Sequence, residues 1–476
     1  MKHFSKILGA ILVAAFATPA LATDTELRAR LLAIPVSPNL GGATTVVTTG
    51  PRAFRSIAPN APNREVAPFL FGQRIFDVVW DHQPILHPLL DGRGPMFHRT
   101  ACRECHEGNG RGEPPETTAV APMKSMLIRI SLDGVGPNGG PVPVPNYGDQ
   151  LQDRSVNGVA AEGLVGVTYE EVPGTFADGT PFSLRKPTVR IENLGYGAFP
   201  DGVRLSARVA QPVIGLGLLQ AIPEATLRGL ADPDDSNGDG ISGRMNWVFD
   251  ADSKQMAPGR FGWKANVASL RHQNAGAALG DMGLTSPVFP DELCEPAQTA
   301  CQAESKRVAA VTQADAPEIS PELFDAMETY MLLLAVPRQR NADDPAVQRG
   351  QGIFRAIGCV GCHMPTMVAG KSTTSALSEQ VFHPFSDLLL HDMGEGLADN
   401  RSDYLASGRE WRTQPLWGIG LTEDVSGFDL HLHDGRARSP TEAILWHGGE
   451  AMGPRENFRN LQKSAREDLL AFLGSL

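Results

Sequence analysis

Two short motifs carry the most specific chemistry that this sequence offers. Each places two cysteines three positions apart with a histidine directly after the second: Cys102, Cys105 and His106 in the first motif, and Cys359, Cys362 and His363 in the second. At this C-x-x-C-H spacing the two thiols can add across the vinyl groups of a haem, which places the histidine beneath the iron as its proximal ligand. The sequence therefore predicts two covalently bound haem c groups, one at each motif.

Two other kinds of site also use closely spaced cysteines. A thioredoxin-like redox pair needs no histidine, so a histidine directly after both pairs would be a coincidence. A zinc site would need further cysteines or histidines close by in the sequence, and neither motif has them. Haem attachment accounts for all three residues of each motif.

The remaining two cysteines, Cys294 and Cys301, enclose a short loop that contains Pro296 and has no histidine nearby. We predict that they form a structural disulfide, which an exported protein can retain.

The N-terminus has the pattern of a secretory signal peptide. Lys2 and Lys6 precede an apolar run over 7–16, and residues 20–22 fit a small-x-small cleavage site. A retained anchor is the less favoured alternative, because a span needs roughly 20 apolar residues. We expect residues 1–22 to be removed and the mature chain to be periplasmic, without an integral membrane segment.

Length and charge limit the possible architectures and partners. The formal net charge of −12 argues against nucleic acids and anionic membranes as partners. A chain of 476 residues usually forms more than one core. We expect an N-terminal haem domain over 23–285, a connecting segment with the disulfide loop over 286–343, and a C-terminal cytochrome c domain over 344–476.

The elements around the motifs can be predicted from periodicity. Apolar spacing indicates a helix over 347–357, directly before Cys359, and another over 461–476, as is typical of cytochrome c domains. Short β-branched runs at 127–131, 165–169 and 187–191 predict a β-rich insertion at about 120–200.

A further short helix is predicted to begin after Ser439. Ser439 can cap it, Pro440 suits its first position, and Glu442 lies three residues after the cap. The helix should run over 440–447 and stop at the following glycines. His447 would then be held at a helix end, a position suited to a metal ligand.

Four further stretches make the sequence resemble a known family. They are GRFGWKA (259–265), LLLHDMGEGLAD (388–399), RTQPLWGI (412–419) and HLHDGRARSPTEAILWHGGEA (431–451). With the two motifs, they resemble the di-haem oxidoreductase family of the bacterial di-haem cytochrome c peroxidase and MauG superfamily, except over roughly 120–230. The resemblance implies a mainly α fold of two cytochrome c-like domains packed haem to haem.

The resemblance also implies a division of labour. One haem stores electrons with six ligands, and the other has an open or openable face for hydrogen peroxide. The position matching His447 carries the distal ligand of the C-terminal haem, so we expect His447 to complete bis-histidine ligation there. Met393 is the alternative axial ligand, and a purely structural His447 is a third possibility.

Three residues are candidates for catalysis by the same resemblance. Trp263 matches a tryptophan between the haems, and Gln273 matches a glutamine on the helix that follows it. Gln273 and Asp281 lie on one side of a helix predicted over 267–279. Asp281 matches only in part the acid that handles the peroxide proton, because it is shorter than glutamate and lies slightly closer to the tryptophan. Alternatively, Trp263 is a core aromatic and Asp281 a helix-end residue.

No distal ligand of the N-terminal haem can be assigned. Met123 and Met126 follow His106 at a suitable distance but are better explained as core residues. His272, beside Gln273, is another candidate.

Two calcium sites are possible. Asp235, Asn237 and Asp239 resemble the first half of an EF-hand loop, although its twelfth position is Asn246 instead of glutamate and an acidic turn explains the pattern equally well. Separately, the superfamily holds a calcium ion between its haems, and Thr413, Pro415 and Asn246 could match that site.

The sequence thus favours a peroxidase-like oxidoreductase that takes electrons from a small redox protein or an organic donor. The alternatives are an electron-transfer cytochrome without catalysis and a di-haem oxygenase of an organic substrate.

Overall fold

The computed structural model describes residues 24–82, 92–115, 118–312 and 317–476. The predicted signal peptide lies outside these residues. Thirteen α-helices occur in the described part. They are α1 (Asp24–Ala33), α2 (Asn63–Asp77), α3 (Cys102–Cys105), α4 (Leu216–Gln220), α5 (Glu224–Leu230), α6 (Leu270–Met282), α7 (Thr299–Thr312), α8 (Pro321–Leu333), α9 (Pro345–Ala356), α10 (Thr422–Ser426), α11 (Pro440–Trp446), α12 (Met452–Asn460) and α13 (Lys463–Ser475).

The strands of the described part form six two-stranded antiparallel sheets. In chain order they are β1 (Met96–Phe97), β2 (Met126–Ser131), β3 (Arg154–Ser155), β4 (Leu164–Thr175), β5 (Pro181–Glu192), β6 (Arg204–Val209), β7 (Trp247–Asp250), β8 (Gln255–Pro258), β9 (Met367–Val368), β10 (Val381–Phe382), β11 (Leu390–Asp392) and β12 (Glu410–Arg412). The pairs are β1–β3, β2–β6, β4–β5, β7–β8, β9–β10 and β11–β12. The fold is therefore mainly helical, with small sheets between the helices. No helix in the described ranges is long and apolar enough to cross a membrane.

The helices predicted around the second motif are present. α9 begins after Asp344, whose side chain accepts a hydrogen bond from the backbone of Ala346, and α13 packs across it. The crossing is close, because a Cβ atom on Gly350 would lie 2.0 Å from the carbonyl oxygen of Asp468 in α13. The helices thus approach at a glycine, and Phe354 of α9 packs against Phe472 of α13.

A second pair of crossed helices stands beside the first motif. α2 packs across α8, and a Cβ atom on Gly72 of α2 would lie 2.0 Å from the carbonyl oxygen of Ala326 in α8. α8 falls inside the segment 286–343 that we predicted to be a connection. α8 thus packs against α2 beside the first motif, and the division of the chain into domains stays a prediction.

The insertion predicted at about 120–200 is β-rich. The three predicted runs lie in β2, β4 and β5, and the last two strands pair along twelve residues from Leu164 opposite Glu192 to Thr175 opposite Pro181. β6 follows the predicted segment and pairs with β2. Cys294 and Cys301 form a disulfide that joins the loop before α7 to the first turn of that helix, in agreement with the predicted bond.

The largest hydrophobic core connects the two halves of the chain. It extends from Leu31 to Leu476 and contains Tyr330 of α8, from the helix pair beside the first motif, and Phe472 of α13, from the helix pair beside the second motif. The regions around the two motifs therefore share one continuous apolar interior.

Candidate functional site

The first motif lies at one edge of a cavity of about 420 Å³. Cys102 and Cys105 are free thiols that line this cavity together with His106. The Nδ1 atom of His106 lies 2.7 Å from the carbonyl oxygen of Gln211, and burial lowers the pKa of the imidazole. A neutral ring that donates from Nδ1 keeps its lone pair on Nε2, as a metal ligand requires.

The second motif repeats this arrangement in a separate cavity of about 190 Å³. Cys359 and Cys362 are again free thiols in the lining. The Nδ1 atom of His363 lies 2.8 Å from the carbonyl oxygen of Phe385, and burial lowers the pKa of His363 to about 4. Both cavities thus combine two thiols with a neutral imidazole, which is the donor set that fits a c-type haem.

His447 lines the same cavity as His363. It caps the end of α11, which starts with the predicted hydrogen bond from the backbone of Glu442 to the Ser439 side chain. Its Nδ1 atom lies 2.6 Å from the carbonyl oxygen of Ala443, and the two histidines are close enough for His447 to lower the pKa of His363 electrostatically. Met393 also lines this cavity, so the structure brings both candidate ligands to it.

Trp263 lies between the two cavities. Among the described residues, it alone lines both of them. Its indole Nε1 donates a hydrogen bond of 2.9 Å to the carbonyl oxygen of Val209 and the ring is 7 % exposed. The Trp263 side chain is thus held in the core by its burial and by this hydrogen bond.

Two further aromatic rings, those of His433 and Trp411, adjoin Trp263 on the side of the second cavity. The His433 ring lies edge-on to Trp263, with centroids 6.4 Å apart, and stacks on Trp411 at 3.8 Å. Burial lowers the pKa of His433 to about 4. The three rings form a continuous aromatic contact. This contact was not predicted from the sequence, because its members come from distant segments.

The candidate catalytic residues of α6 face the first cavity. Gln273 and Asp281 both line it. Asp281 accepts a hydrogen bond of 2.8 Å from Gln150, a residue of the insertion. The structure therefore brings Trp263, Gln273 and Asp281 together at the cavity of the first motif.

The candidates for a distal ligand in the first cavity differ in their surroundings. Met123 and Met126 are buried with the insertion and do not line the cavity in the described structure. His272 lines it, but its Nδ1 accepts a hydrogen bond of 3.2 Å from the backbone of Ala251. A neutral His272 must then carry its proton on Nε2, which disfavours coordination through that atom.

His98 is a lining residue of the first cavity that sequence reasoning missed. It is 2 % exposed, its Nδ1 lies 3.0 Å from the carboxylate of Asp153, and its Nε2 has no hydrogen-bond partner among the described residues. Its backbone N–H donates to the carbonyl oxygen of Asp281. Only its place four residues before Cys102 could have drawn attention to it.

His391 was likewise assigned no role from sequence. Its ring nitrogens lie 3.0 Å from the carboxylate of Asp387 and 2.8 Å from that of Glu450, and Nδ1 lies 3.4 Å from the sulfur of Cys362. Burial alone would lower the pKa of His391, but Cys362 and Asp387 raise it well above its usual value. Both ring nitrogens of this buried histidine thus face carboxylates beside the second motif.

Two basic side chains are buried near Trp411. Lys264 donates to the carboxylate of Asp399 at 2.7 Å and its Nζ lies 4.5 Å from the centre of the Trp411 ring. Arg412, the next residue along β12, lines the second cavity. The charge of Lys264 is therefore paired within the fold.

The predicted calcium loop is closed by its own side chains. The backbone of Gly240 donates to Asp235, that of Ile241 to Asp239, and that of Asp239 to Asn237. These oxygens are engaged as in an acidic turn. Calcium binding in this loop stays a prediction.

The second calcium candidate is dispersed. Asn246 is fully buried, and its side chain bonds to the backbone of Lys264, Asp403 and Leu405. Thr413 lines the second cavity, and Pro415 follows it without lining the cavity. The described ranges hold no group of three or more His, Cys, Asp or Glu side chains that could bind a metal ion. This site also stays a prediction.

Comparisons with known proteins address the family. A sequence-family model described as "Di-haem oxidoreductase, putative peroxidase" matches residues 36–476. The comparison with curated proteins finds no match. Among solved structures, Kuenenia stuttgartiensis hydrazine synthase pressurised with 20 bar xenon matches over 100% of both chains, with 14% sequence identity and a TM-score of 0.32. A likeness this weak carries no argument about this chain.

Proposed function

The chain belongs to the di-haem oxidoreductase family, which confirms the resemblance seen in its motifs, and on this premise we propose that it is an exported di-haem c-type peroxidase. Members of a di-haem family carry two haems, and we assign one to each C-x-x-C-H motif. The observation that supports this proposal best is the placement of Trp263 between two cavities, each with two free thiols and a neutral histidine at its edge.

The residues that would hold the two haems follow from this donor set. Cys102 and Cys105 would form thioethers in the first cavity, with His106 as the proximal ligand. The matching residues of the second motif would do so in the second cavity. When bound, haem supplies the redox centre that stores electrons and cleaves the O–O bond of peroxide.

The two cavities suit different tasks. His363 and His447 line one cavity together and each can offer Nε2, so both would hold the second haem, which would serve as the electron store. The first cavity instead presents Gln273 and Asp281. We place peroxide there, where H₂O₂ takes up two electrons and two protons to give two molecules of water.

Proton handling falls to the side chains of α6. Cleavage of peroxide requires a base that takes the proton from one oxygen and returns it to the departing oxygen. Asp281, whose carboxylate is oriented by Gln150, would carry the proton, and the amide of Gln273 would orient the substrate. Trp263 would connect the two sites electronically. The electrons would come from a small redox protein or an organic donor.

The architecture that we propose follows the two crossed pairs of helices. α2 and α8 would frame the N-terminal haem module, and α9 and α13 the C-terminal one. Each pair packs at a glycine, which is consistent with two modules of cytochrome c type.

The proposal predicts that hydrogen peroxide reoxidises the reduced holoprotein, and that W263F slows the reoxidation of the second haem. The substitution keeps a ring in the core but removes the indole that both cavities share. Stopped-flow absorbance of the ascorbate-reduced protein would follow both haems. Two low-spin haems that react with neither peroxide nor cyanide in any oxidation state would contradict a peroxidase and favour an electron carrier.

A second prediction concerns the axial ligand of the second haem. H447G should abolish the near-infrared band of bis-histidine ligation and yield a high-spin ferric haem, because the opposing nitrogen is removed. Near-infrared magnetic circular dichroism would measure the change, and M393L serves as the control because Met393 lines the same cavity. Survival of the bis-histidine band in H447G, or its loss in M393L, would show the assignment to be wrong.

A further inference from the structure

Arg412 is a buried cation at the wall between the two cavities. Its residue is 5 % exposed and lines the second cavity. Its backbone N–H donates to the carbonyl oxygen of Trp263, and its Nε donates to that of Gly262, a residue of the first cavity. The guanidinium is therefore anchored to the segment that separates the two sites.

The charge of Arg412 has no anionic partner in the described part of the chain. Its Nη2 donates to the side-chain oxygens of Gln414 at 2.7 Å and Gln211 at 3.3 Å, and Nη1 has no hydrogen-bond partner among the described residues. Burial lowers the pKa of Arg412 to about 9, with no carboxylate to oppose the shift.

Three other buried cations nearby have carboxylate partners. Lys264 meets Asp399, and both Arg208 and Arg401 meet Asp403. A buried charge without a counter-ion is strongly unfavourable, because burial removes water and neutral acceptors replace it only in part. Arg412 has no such carboxylate in the described structure and lines a cavity, which points to an anion supplied from outside the chain.

We infer that Arg412 binds a propionate carboxylate of the haem attached at the second motif and thereby raises the reduction potential of that haem. This inference rests on the proposed function, since it requires haem in the second cavity. A guanidinium presents its N–H donors in a rigid planar fork. The N–H groups of Nη1 have no partner among the described residues, so they can donate charge-assisted hydrogen bonds to a carboxylate. Haem is an anion source of the right kind, because it brings carboxylates into a cavity that is otherwise largely apolar.

The electrostatic consequence has a definite sign. A propionate without a counter-charge favours the ferric state, because the oxidised iron carries one more positive charge than the reduced iron. Arg412 offsets that negative charge, so its removal makes the ferric state easier to reach and lowers the potential. The reduction potential of the first haem, which would lie in the other cavity, should change less.

The test is an optical redox titration of the holoprotein with R412Q and R412K. R412Q should lower the midpoint potential of the second haem, and R412K should lower it less, because an ammonium keeps the charge without the fork. Mass spectrometry of each variant would first establish that two haems are attached.

Arg260 provides a matched control. Its guanidinium is also partly buried and bonds to the carbonyl oxygens of Pro258 and Ile222, but it lines neither cavity in the described structure. R260Q should leave the potential of the second haem unchanged. An equal drop of that potential in R260Q would show that the effect of R412Q comes from the general loss of a buried charge. That result would overturn the inference.

Failure of the inference can be told apart from failure of the proposed function. Two attached haems with wild-type potentials in R412Q would refute the anion site and leave the peroxidase proposal standing. A wild-type protein without haem would refute the proposed function itself. If R412Q does not retain its haem, R412M carries the test, because methionine also removes the charge while filling part of the same space. A wild-type potential in R412M would then contradict the inference.

Discussion

Replacing Cys359 and Cys362 together by serine should remove one haem from the mature protein and leave the other. Serine cannot form the thioethers, so the second cavity would lose its covalent anchor while the first motif keeps all three of its residues. The same double change at Cys102 and Cys105 should remove the other haem. Intact-protein mass spectrometry after expression with the haem-attachment machinery would measure both losses, and the Soret absorbance per chain should fall by about half in each variant.

The remaining cysteine pair provides the control for this experiment. Changing Cys294 and Cys301 to serine removes the disulfide, which lies in neither cavity lining of the described structure. Both haems should remain attached. Two attached haems in the C359S/C362S protein, or loss of haem from the disulfide variant alone, would contradict covalent attachment at the two motifs.

Replacing Asp281 by asparagine should lower peroxide turnover by about 10²–10⁴-fold, the range expected for loss of a general acid–base group. Asparagine has nearly the same shape and can still meet the amide of Gln150, but it cannot carry the proton. Steady-state oxidation of a reduced dye by peroxide would give the rate. The ferric absorption spectrum should stay that of the wild type, because Asp281 is not assigned as an iron ligand.

D281E is the matched variant for the proton-transfer role. Glutamate keeps the carboxylate and reaches further into the cavity, so D281E should retain much of the turnover that D281N loses. Wild-type turnover in D281N would remove Asp281 from the mechanism. Equal losses in D281N and D281E would assign it a purely structural task at the end of α6.

Much of the fold around the second site could be predicted because its signals are local. The cap at Ser439, the proline after it and the glycines at the far end predict α11 almost to the residue. Apolar periodicity likewise predicts α9 and α13, and β-branched runs between turns predict β2, β4 and β5. Such patterns reflect forces within a few residues, so they need no knowledge of the tertiary structure.

Features that depend on distant segments could not be predicted in this way. α8 lies in the segment that we predicted to be a connection, and its packing on Gly72 of α2 becomes apparent only when both helices are in place. The stack of His433 on Trp411 and the neutral surroundings of Arg412 also join residues without local signals. The family resemblance identified Trp263, but it assigned no role to His98 or His391.

The shared apolar interior has a consequence for how this molecule could be divided. Since the core that begins at Leu31 also includes Phe472, cutting the chain between the motifs would expose a broad apolar surface on each fragment. Neither fragment should fold independently as a small cytochrome. The two redox centres would then have to be gained, lost and inherited as a unit.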